Sequence, residues 1–480
     1  MKHIFNIFMI GIAAIILLPS CKKWLDVQPQ DKFTELQVYE DLGGAGNALN
    51  GIYLLMAGNP LYGNNLTMGT LEVFAQRYNI GTQHNRVRFQ SYSYGEQDVM
   101  ANLASIWENA YVAIVNANQF VKSMELYKSP KITAADDSIM RGEAIGLRAM
   151  LHFDLLRMFG PMYNTADSVA KSIPYYRTAA TTAAELLPAS QVMDSILYDL
   201  SVAETLLQND PIIREGVVKT VVGDGRDFFR NRNQRMNYYA IKALQARVHL
   251  YRENKPEALK AAKFVIEQSA NRFPWINPSR IINDKTNPDR VFSSELILCL
   301  FNINLYNTNR NLLAPEVMDA SILAPNDTRL KAVFENNEND YRYNPMWALP
   351  STGAKSYKTF YKYTDVQATD SSFRFKMPLI RKSELYYIAA ECETDPVAAK
   401  QYLNTVRYNR GLVDVSASAN IITELQKEYQ KEFWGEGQLF YFYKRRKVTS
   451  VPNSASTSGN VTMNAAKYVF PLPLSETQYR

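Results

Sequence analysis

Residues able to carry chemistry are scattered through this 480-residue chain rather than gathered. Beyond the N-terminal leader the histidines are His84, His152 and His249, each isolated. There is no His-Glu-x-x-His, no Cys/His spacing suited to zinc and no Gly-x-Ser-x-Gly elbow. Residues 221–225, Val-Val-Gly-Asp-Gly, read as a strand and turn, and a single Gly-x-Gly does not cradle a phosphate. Asn283-Asp284-Lys285 and Asn326-Asp327 are poor matches to a calcium loop. Carboxylates are plentiful, so composition leaves room for a glycosidase pair, yet Glu143, Asp154, Glu384, Glu391 and Glu432 all fall in helical patterns. The expectation is a protein without catalytic residues, metal or cofactor.

Chemistry of another kind is written at the N-terminus. Lys2 supplies a positive start, residues 7–18 form an apolar run too short to span a bilayer, and Leu18-Pro19-Ser20-Cys21 follows as a lipobox-like sequence. Cys21 would carry a diacylglycerol on sulfur and a further acyl chain, of the palmitate class, on its freed amine. Each buried CH₂ adds about 0.8 kcal/mol, so several chains make a lasting anchor. The alternative is a secretory signal with a coincidental cysteine. No later run reaches the length of a membrane span, so the mature chain is expected to sit on a membrane without crossing it. The basic clusters at 230–235 and 444–447 then read as solvated faces, with no nucleic acid as partner.

Binding is the remaining function, and aromatic loops are its natural place. The chain has 30 Tyr against 5 Trp. Residues 74–94 hold Phe74, Tyr78, Phe89, Tyr92 and Tyr94, with Arg77, Asn79, His84 and Arg86 beside them. Residues 341–363 hold Tyr341, Tyr343, Trp347, Tyr357, Phe360, Tyr361 and Tyr363, with Asp340, Arg342 and Asn344. Sugar rings stack C–H faces on aromatics while their hydroxyls need polar partners. Candidate ligand contacts are therefore Arg77, Tyr78, His84, Arg86, Tyr92, Tyr341, Tyr343 and Trp347. Trp347 is expected to be an exposed platform, held by the extended chain after Asn344-Pro345. Against this stands the simpler reading, in which such aromatics pack beneath long loops.

Helices must position these loops. In residues 141–161, Ala144, Leu147, Leu151, Leu155 and Met158 form one apolar face and Ile145, Ala149, His152, Leu156 and Phe159 a second, so this helix is expected between others. Gly142 and Gly146 lie one turn apart, which fits close approach of a neighbouring helix, and Gly160-Pro161 stops the run. Further helices are expected over 37–56, 102–127, 237–252 and 255–269. Another is expected after a cap at Ser383, and one runs from Asp395-Pro396 to Gly411. A last helix would start from a Thr423/Gln426 capping box. Paired antiparallel helices are the unit of tetratricopeptide (TPR) solenoids, though the consensus is degraded here. A 46% hydrophobic and 21% charged composition supports a large core, and a net charge of +6 is mild over this length. Cys299, in the strand-like SSELILCLF, and Cys392 read as buried free thiols, a mutual disulfide being the alternative.

Several segments resemble the SusD/RagB family of outer-membrane lipoproteins. Glu143-Ala144, Leu147-Arg148-Ala149, His152-Phe153-Asp154-Leu155 and Phe159-Gly160 resemble the family's "AEA…LRA…YFDL…FG" helix, and Trp107…Tyr111…Ile114…Asn116-Ala117-Asn118 its "W…Y…I…AN" helix. Leu25-Asp26…Pro29 follows the lipidated Cys as the family's "LD…P" does. Arg381…Cys392, Tyr402…Leu412, Glu428…Arg445 and Tyr468…Glu476 resemble its C-terminal motifs in family order. Tyr429-Gln430 stands where "ER" is usual, and residues 441–443 lack an acidic residue, which puts local salt bridges in doubt.

The resemblance implies a mainly α fold: a TPR-like helical-pair scaffold with a loop-rich, ligand-binding subdomain. Residues 1–20 would be the signal peptide and 21–480 one domain. Its helices lie at about 36–57, 98–160, 189–270 and 380–436, and its binding loops at about 58–97 and 271–379. It implies a non-catalytic surface lipoprotein of the cell outer membrane that binds an oligosaccharide and delivers it to a SusC-like TonB-dependent transporter. A peptide ligand, as in the RagB branch, an outer-membrane glycosidase and a structural adaptor are the competing readings.

Overall fold

The computed structural model describes residues 34–179, 182–353 and 355–478. The leader, Cys21 and the Leu25-Asp26…Pro29 match lie outside the described residues. Eight helices form the scaffold: α1 (Leu42–Met56), α2 (Gln97–Tyr127), α3 (Ala134–Phe159), α4 (Ala189–Leu206), α5 (Tyr238–Tyr251), α6 (Lys255–Gln268), α7 (Lys382–Cys392) and α8 (Pro396–Tyr408). Each packs against the next in chain order, from α1 on α2 through to α7 on α8. That succession is the TPR-like stack of helical pairs. Two more helices, α9 (Ile421–Glu432) and α10 (Gln438–Arg445), follow it. No helix among the described residues is long and apolar enough to cross a membrane.

The two-faced helix is α3, where every residue from 142 to 160 is buried. Its glycines are sites of close approach. A Cβ on Gly142 would stand 2.9 Å from Leu207 Cγ and 3.4 Å from Ala203 O, and one on Gly146 would meet Ile241 Cδ1 at 2.5 Å and Met236 Cγ at 2.6 Å. The Gly146 neighbours are thus side chains of α5 and the turn before it, not a helix backbone.

Helix ends follow local chemistry in some places and tertiary contacts in others. Asp395 caps α8 as expected, accepting from Val397 N (3.1 Å) and Ala398 N (3.3 Å), with Pro396 at the first position. That helix ends at Tyr408, and Gly411 turns the chain just beyond it with φ +77°. Ser383 is not a cap: α7 starts one residue earlier, directly from a strand, and the Ser383 hydroxyl is buried without a partner. Thr423 is not one either, because Asn420 caps α9 by accepting from Ile422 N (3.0 Å) and Thr423 N (3.1 Å). A capping box does occur at Thr34 and Gln37, opening a short helix, Glu35–Val38, that breaks before α1. Of the strand and turn expected at 221–225 only the turn forms, its amides at Val222 (3.0 Å) and Gly223 (2.8 Å) donating to Asp227.

The basic clusters are not solvated faces. Arg232 is buried between Glu143 and Asp210, and Lys444 is buried with its ammonium donating to Met158 O (3.1 Å) and Gly160 O (2.8 Å). Their partners lie far away in sequence, so a local charge run could not reveal the pairing. All five carboxylates singled out above are bound similarly: Glu143 by Arg232, Asp154 by Arg157, Glu384 by Arg247, Glu391 by Arg445 and Glu432 by Arg381 and Arg410. Where acidic family positions are missing, aromatic contacts stand instead. Tyr429 stacks on Phe442 at 4.2 Å, and Arg157 lies 3.6 Å from the Tyr441 ring centre. Cys299 and Cys392 are free and buried.

The loop-rich part leaves the scaffold through one stem. Strands β1 (Leu296–Phe301) and β2 (Lys376–Arg381) pair antiparallel, from Leu296 opposite Arg381 to Phe301 opposite Lys376. The chain between them therefore starts and ends at one point, and β2 runs straight into α7. This excursion is partly regular, containing helices Leu305–Leu312 and Asp327–Val333. The earlier loop likewise contains Thr70–Phe74 and Val87–Gln90.

Candidate functional site

The first aromatic loop is packed inward. Arg77 is buried in an ion pair with Glu72 (3.1 Å), donates to Gln430 O, and lies 4.4 Å from the Trp434 ring centre. Tyr78 is fully buried and donates to Met68 O (2.8 Å); Tyr92 is buried and donates to Phe74 O (2.7 Å). His84 Nδ1 accepts from Arg86 N at 3.0 Å, which leaves Nε2 to donate to Ile322 O at 3.1 Å. Burial holds that imidazole below its ordinary pKa, so it is neutral. Asn79 N and Asn85 N extend the junction to Ala324 O (2.8 Å) and Ala320 O (2.9 Å). Arg86 is half-buried with its guanidinium 4.9 Å from the Phe89 ring centre. His84 thus ties this loop to the second one, while Arg77, Tyr78 and Tyr92 are held by their own loop and by residues 430–434, and none of the four presents a face to solvent.

In the second loop the exposed platform expected at Trp347 is absent. Trp347 is 2% exposed, and its ring packs against Phe360 (4.5 Å) and Trp434 (4.7 Å). The Asn344-Pro345 peptide before it is cis. Tyr343 is buried as well, stacked on Phe334 at 4.8 Å with the Lys358 ammonium 3.9 Å from its ring centre. These loop aromatics are apolar enough to bury, and here they join the main core.

Tyr341 is different. Asp340 and Arg342 are buried while Tyr341 is half-buried, in a turn where Asp340 O accepts from Tyr343 N (2.9 Å) and Asn344 N (3.0 Å). Asp340 and Arg342 pair at 2.7 Å, and Arg342 continues to Glu428 (2.6 Å) and Glu432 (3.0 Å). Arg410 joins the same network through Glu432 (2.7 Å) and Glu295 (2.6 Å), and its carbonyl accepts from Tyr341 N at 3.1 Å. Burial would raise the Glu428 carboxyl, but Arg342, Lys431 and Arg407 outweigh it and bring the group down to about 2. Removing one member of such a buried network costs about 3–5 kcal/mol, so the loop is held firmly to α9 and the end of α8. The Tyr341 ring then lies over Gly411, where a Cβ would come 2.7 Å from its Cε1 and 2.4 Å from Asn339 O.

Tyr341 and Gly411 line a cavity of about 680 Å³, with Asn339, Asn344 and Pro345 on the same side. The facing wall comes from residues 281–290, chiefly Ile282, Lys285 and Arg290. Arg290 Nε is buried without a hydrogen-bond partner. A half-buried aromatic ring, two amides, a hydroxyl and two cations around a cavity this size suit a polar ligand of a few sugar units. The lining holds one carboxylate, Glu338, whereas glycoside hydrolysis ordinarily needs two. Among the described residues no cluster of His, Cys, Asp and Glu could hold a metal ion. A groove of about 650 Å³ between residues 94–108 and 471–475 is largely apolar and has no cation on its lining.

Of the sequence candidates, this cavity takes Tyr341 alone, together with Asn344 from the polar partners named beside it. Arg77, Tyr78 and Trp347 meet at Trp434, while His84, Arg86 and Tyr92 lie apart from it. Arg290 and Lys285 were not picked out as ligand contacts. Their position within the 271–379 loop was the one available signal.

Two family descriptions match the sequence: "Starch-binding associating with outer membrane" over residues 23–219 and "SusD family" over residues 265–478. No curated protein matches it. Among solved structures the chain is similar to a SusD superfamily protein from Bacteroides thetaiotaomicron VPI-5482, at 21% identity and TM-score 0.72, covering 92% of this chain and 98% of that one. It is similar to a SusD-like carbohydrate binding protein from Bacteroides vulgatus ATCC 8482 (18%, TM-score 0.67, 91% and 96%). A laminarin binding SusD-like protein is a third (18%, TM-score 0.63, 92% and 98%). At these identities the structural likeness speaks for the fold, and the two sequence matches speak for the family. The chain belongs to the SusD/RagB family.

Proposed function

We propose that this protein is a non-catalytic surface lipoprotein that binds a glycan in the Tyr341 cavity and passes it to a SusC-like TonB-dependent transporter. The observation that carries the binding site is Tyr341 itself: a half-buried ring held over Gly411 at the edge of a polar cavity, on a loop fixed by buried ion pairs. The ring's Cε1 and Cζ lie nearest the glycine, and the rest of the ring can stack a sugar while Asn344 and Asn339 take its hydroxyls. The relatives named for carbohydrate and laminarin binding support the ligand class. The family description places its members at the outer membrane, and acylated Cys21 would supply the anchor. The absence of a second carboxylate from the cavity lining, and the ion-paired state of the scaffold carboxylates, favour capture over hydrolysis.

Titration calorimetry against a glycan panel tests the reading. Tyr341→Ala is expected to weaken the best glycan at least tenfold, about 1.4 kcal/mol, with an unchanged melting temperature. Equal binding by the variant would move the site elsewhere. Turnover of any panel member would instead establish a glycosidase. Co-purification of a TonB-dependent transporter from outer membranes tests the partner, and its absence there would remove delivery from the proposal.

A further inference from the structure

Arg290 makes neither an ion pair nor a side-chain hydrogen bond within the described residues, in a protein whose other inward-facing arginines are almost all paired. The carboxylates nearest to it in sequence are already engaged. Asp289 is buried and accepts from Ser293 N (3.1 Å) and Ser293 Oγ (2.6 Å), while Asp284 accepts from Asn287 N (2.7 Å). Across the cavity Glu338 lies 3.4 Å from the Lys358 ammonium. Lys285, also on the lining, is exposed and has no ion-pair partner among the described residues. The charged groups facing the cavity are therefore two uncompensated cations and one carboxylate that already has a cation. Burial pushes the Arg290 guanidinium down to about 10, the direction expected of a cation with no counter-ion.

A partly desolvated guanidinium without an anion is costly, and a planar fork of donors is matched best by a carboxylate or a sulfate. Neutral sugar hydroxyls would leave that charge uncompensated. We infer that the glycan taken by this cavity is acidic, with a uronate carboxylate or a sulfate ester seated on Arg290, Lys285 at its margin and Tyr341 stacked on the adjoining ring. The inference rests on the proposed glycan-binding function and specifies its ligand class. The two anion sources share one chemistry and are separated by experiment.

The test is calorimetry on the full chain in detergent with five probes. These are oligogalacturonate, its carboxyl-reduced form, a sulfated galactan oligosaccharide, its desulfated form, and an Asp/Glu-rich peptide. Expected is binding of at least one acidic oligosaccharide ten or more times tighter than its neutralised counterpart, weakened by added salt. Which acidic sugar binds identifies the anion. Arg290→Gln should remove that tenfold preference, so that acidic and neutralised forms bind alike. Its melting temperature should be equal or higher, since no internal ion pair is lost; an arginine with a purely structural role would lower it. Neutral and acidic forms binding alike, or Arg290→Gln retaining the preference, overturns the inference and leaves the glycan reading standing. Binding of the peptide but of no oligosaccharide overturns both.

Discussion

The indole of Trp347 meets that of Trp434 edge-on, with ring centroids 4.7 Å apart and planes at 73°. Through Trp434 the two aromatic loops share one core: Tyr78 approaches the same ring at 6.5 Å and Arg77 at 4.4 Å. The loops therefore do converge, but at a buried hinge of rings and not at an open ligand surface. Trp347→Ala should accordingly cost about 3–5 kcal/mol of stability, as expected for emptying a packed aromatic site. Urea unfolding would register it as a lower midpoint with an unchanged slope. A variant with wild-type stability and weakened binding would restore Trp347 as a ligand platform.

Gly146 offers a second measure of packing. A leucine there would drive into Ile241 and Met236, whose atoms already lie 2.5 and 2.6 Å from the first added carbon. Met236 is flexible and can yield, so the cost is set by how far Ile241 moves on α5. Overpacking of this kind is worth about 1–3 kcal/mol. The denaturation midpoint of Gly146→Leu should fall by that amount, and an unchanged midpoint would mean that the α3–α5 contact is looser than described.

Much of the scaffold was legible because amphipathic spacing is a local property. The faces of α3, the Asp395-Pro396 start and the strand around Cys299 all follow from residues a few positions apart. The failures share one cause, which is that the deciding partner is remote in sequence. Ser383 looked like a cap, but β2 delivers the chain into α7 with Arg381 already held by Glu432 and Glu436. Arg232 looked solvated because Glu143 is on another helix. Trp347 looked exposed because a loop sequence gives the number of its aromatics and not their depth. Arg290 has only its place in the 271–379 loop to mark it: its distinction is a missing partner, and only a fold can show that.

Acid should unfold the protein in two stages with different causes. Burial lowers the His152 pKa to about 3, with its ring accepting from Tyr176 N at 3.1 Å and bonded to Arg148 O at 2.9 Å. Below its ordinary value of 6.5 the unfolded chain takes up a proton that the folded state refuses, so stability falls as pH drops from there. Glu428, held down to about 2, contributes stability that is full above 4.5 and lost as pH falls toward 2. Each group adds a slope of about 1.4 kcal/mol per pH unit in its window. Melting temperatures from neutral pH downward should decline first gently and then, below pH 4.5, more steeply. A flat profile between pH 6.5 and 4.5 would contradict a buried neutral His152.

The closest tie between scaffold and site is Gly411. Its φ of +77° disfavours any side chain, and a Cβ would lie 2.4 Å from Asn339 O and 2.7 Å from the Tyr341 ring. The obstruction is in part backbone, so an alanine can be admitted only if the 339–341 segment shifts. The buried pair of Asp340 and Arg342 resists that shift, and the outward-pointing Tyr341 side chain gives way more easily. Gly411→Ala should therefore lower stability by about 1–3 kcal/mol, from backbone strain, and should weaken glycan binding as Tyr341→Ala does. The double variant with Tyr341→Ala should bind no worse than Tyr341→Ala alone, because both changes act through one ring. Additive losses of affinity in that cycle would show that Gly411 acts on another wall of the cavity, and full affinity in Gly411→Ala would show that the ring's place over the glycine is irrelevant to binding.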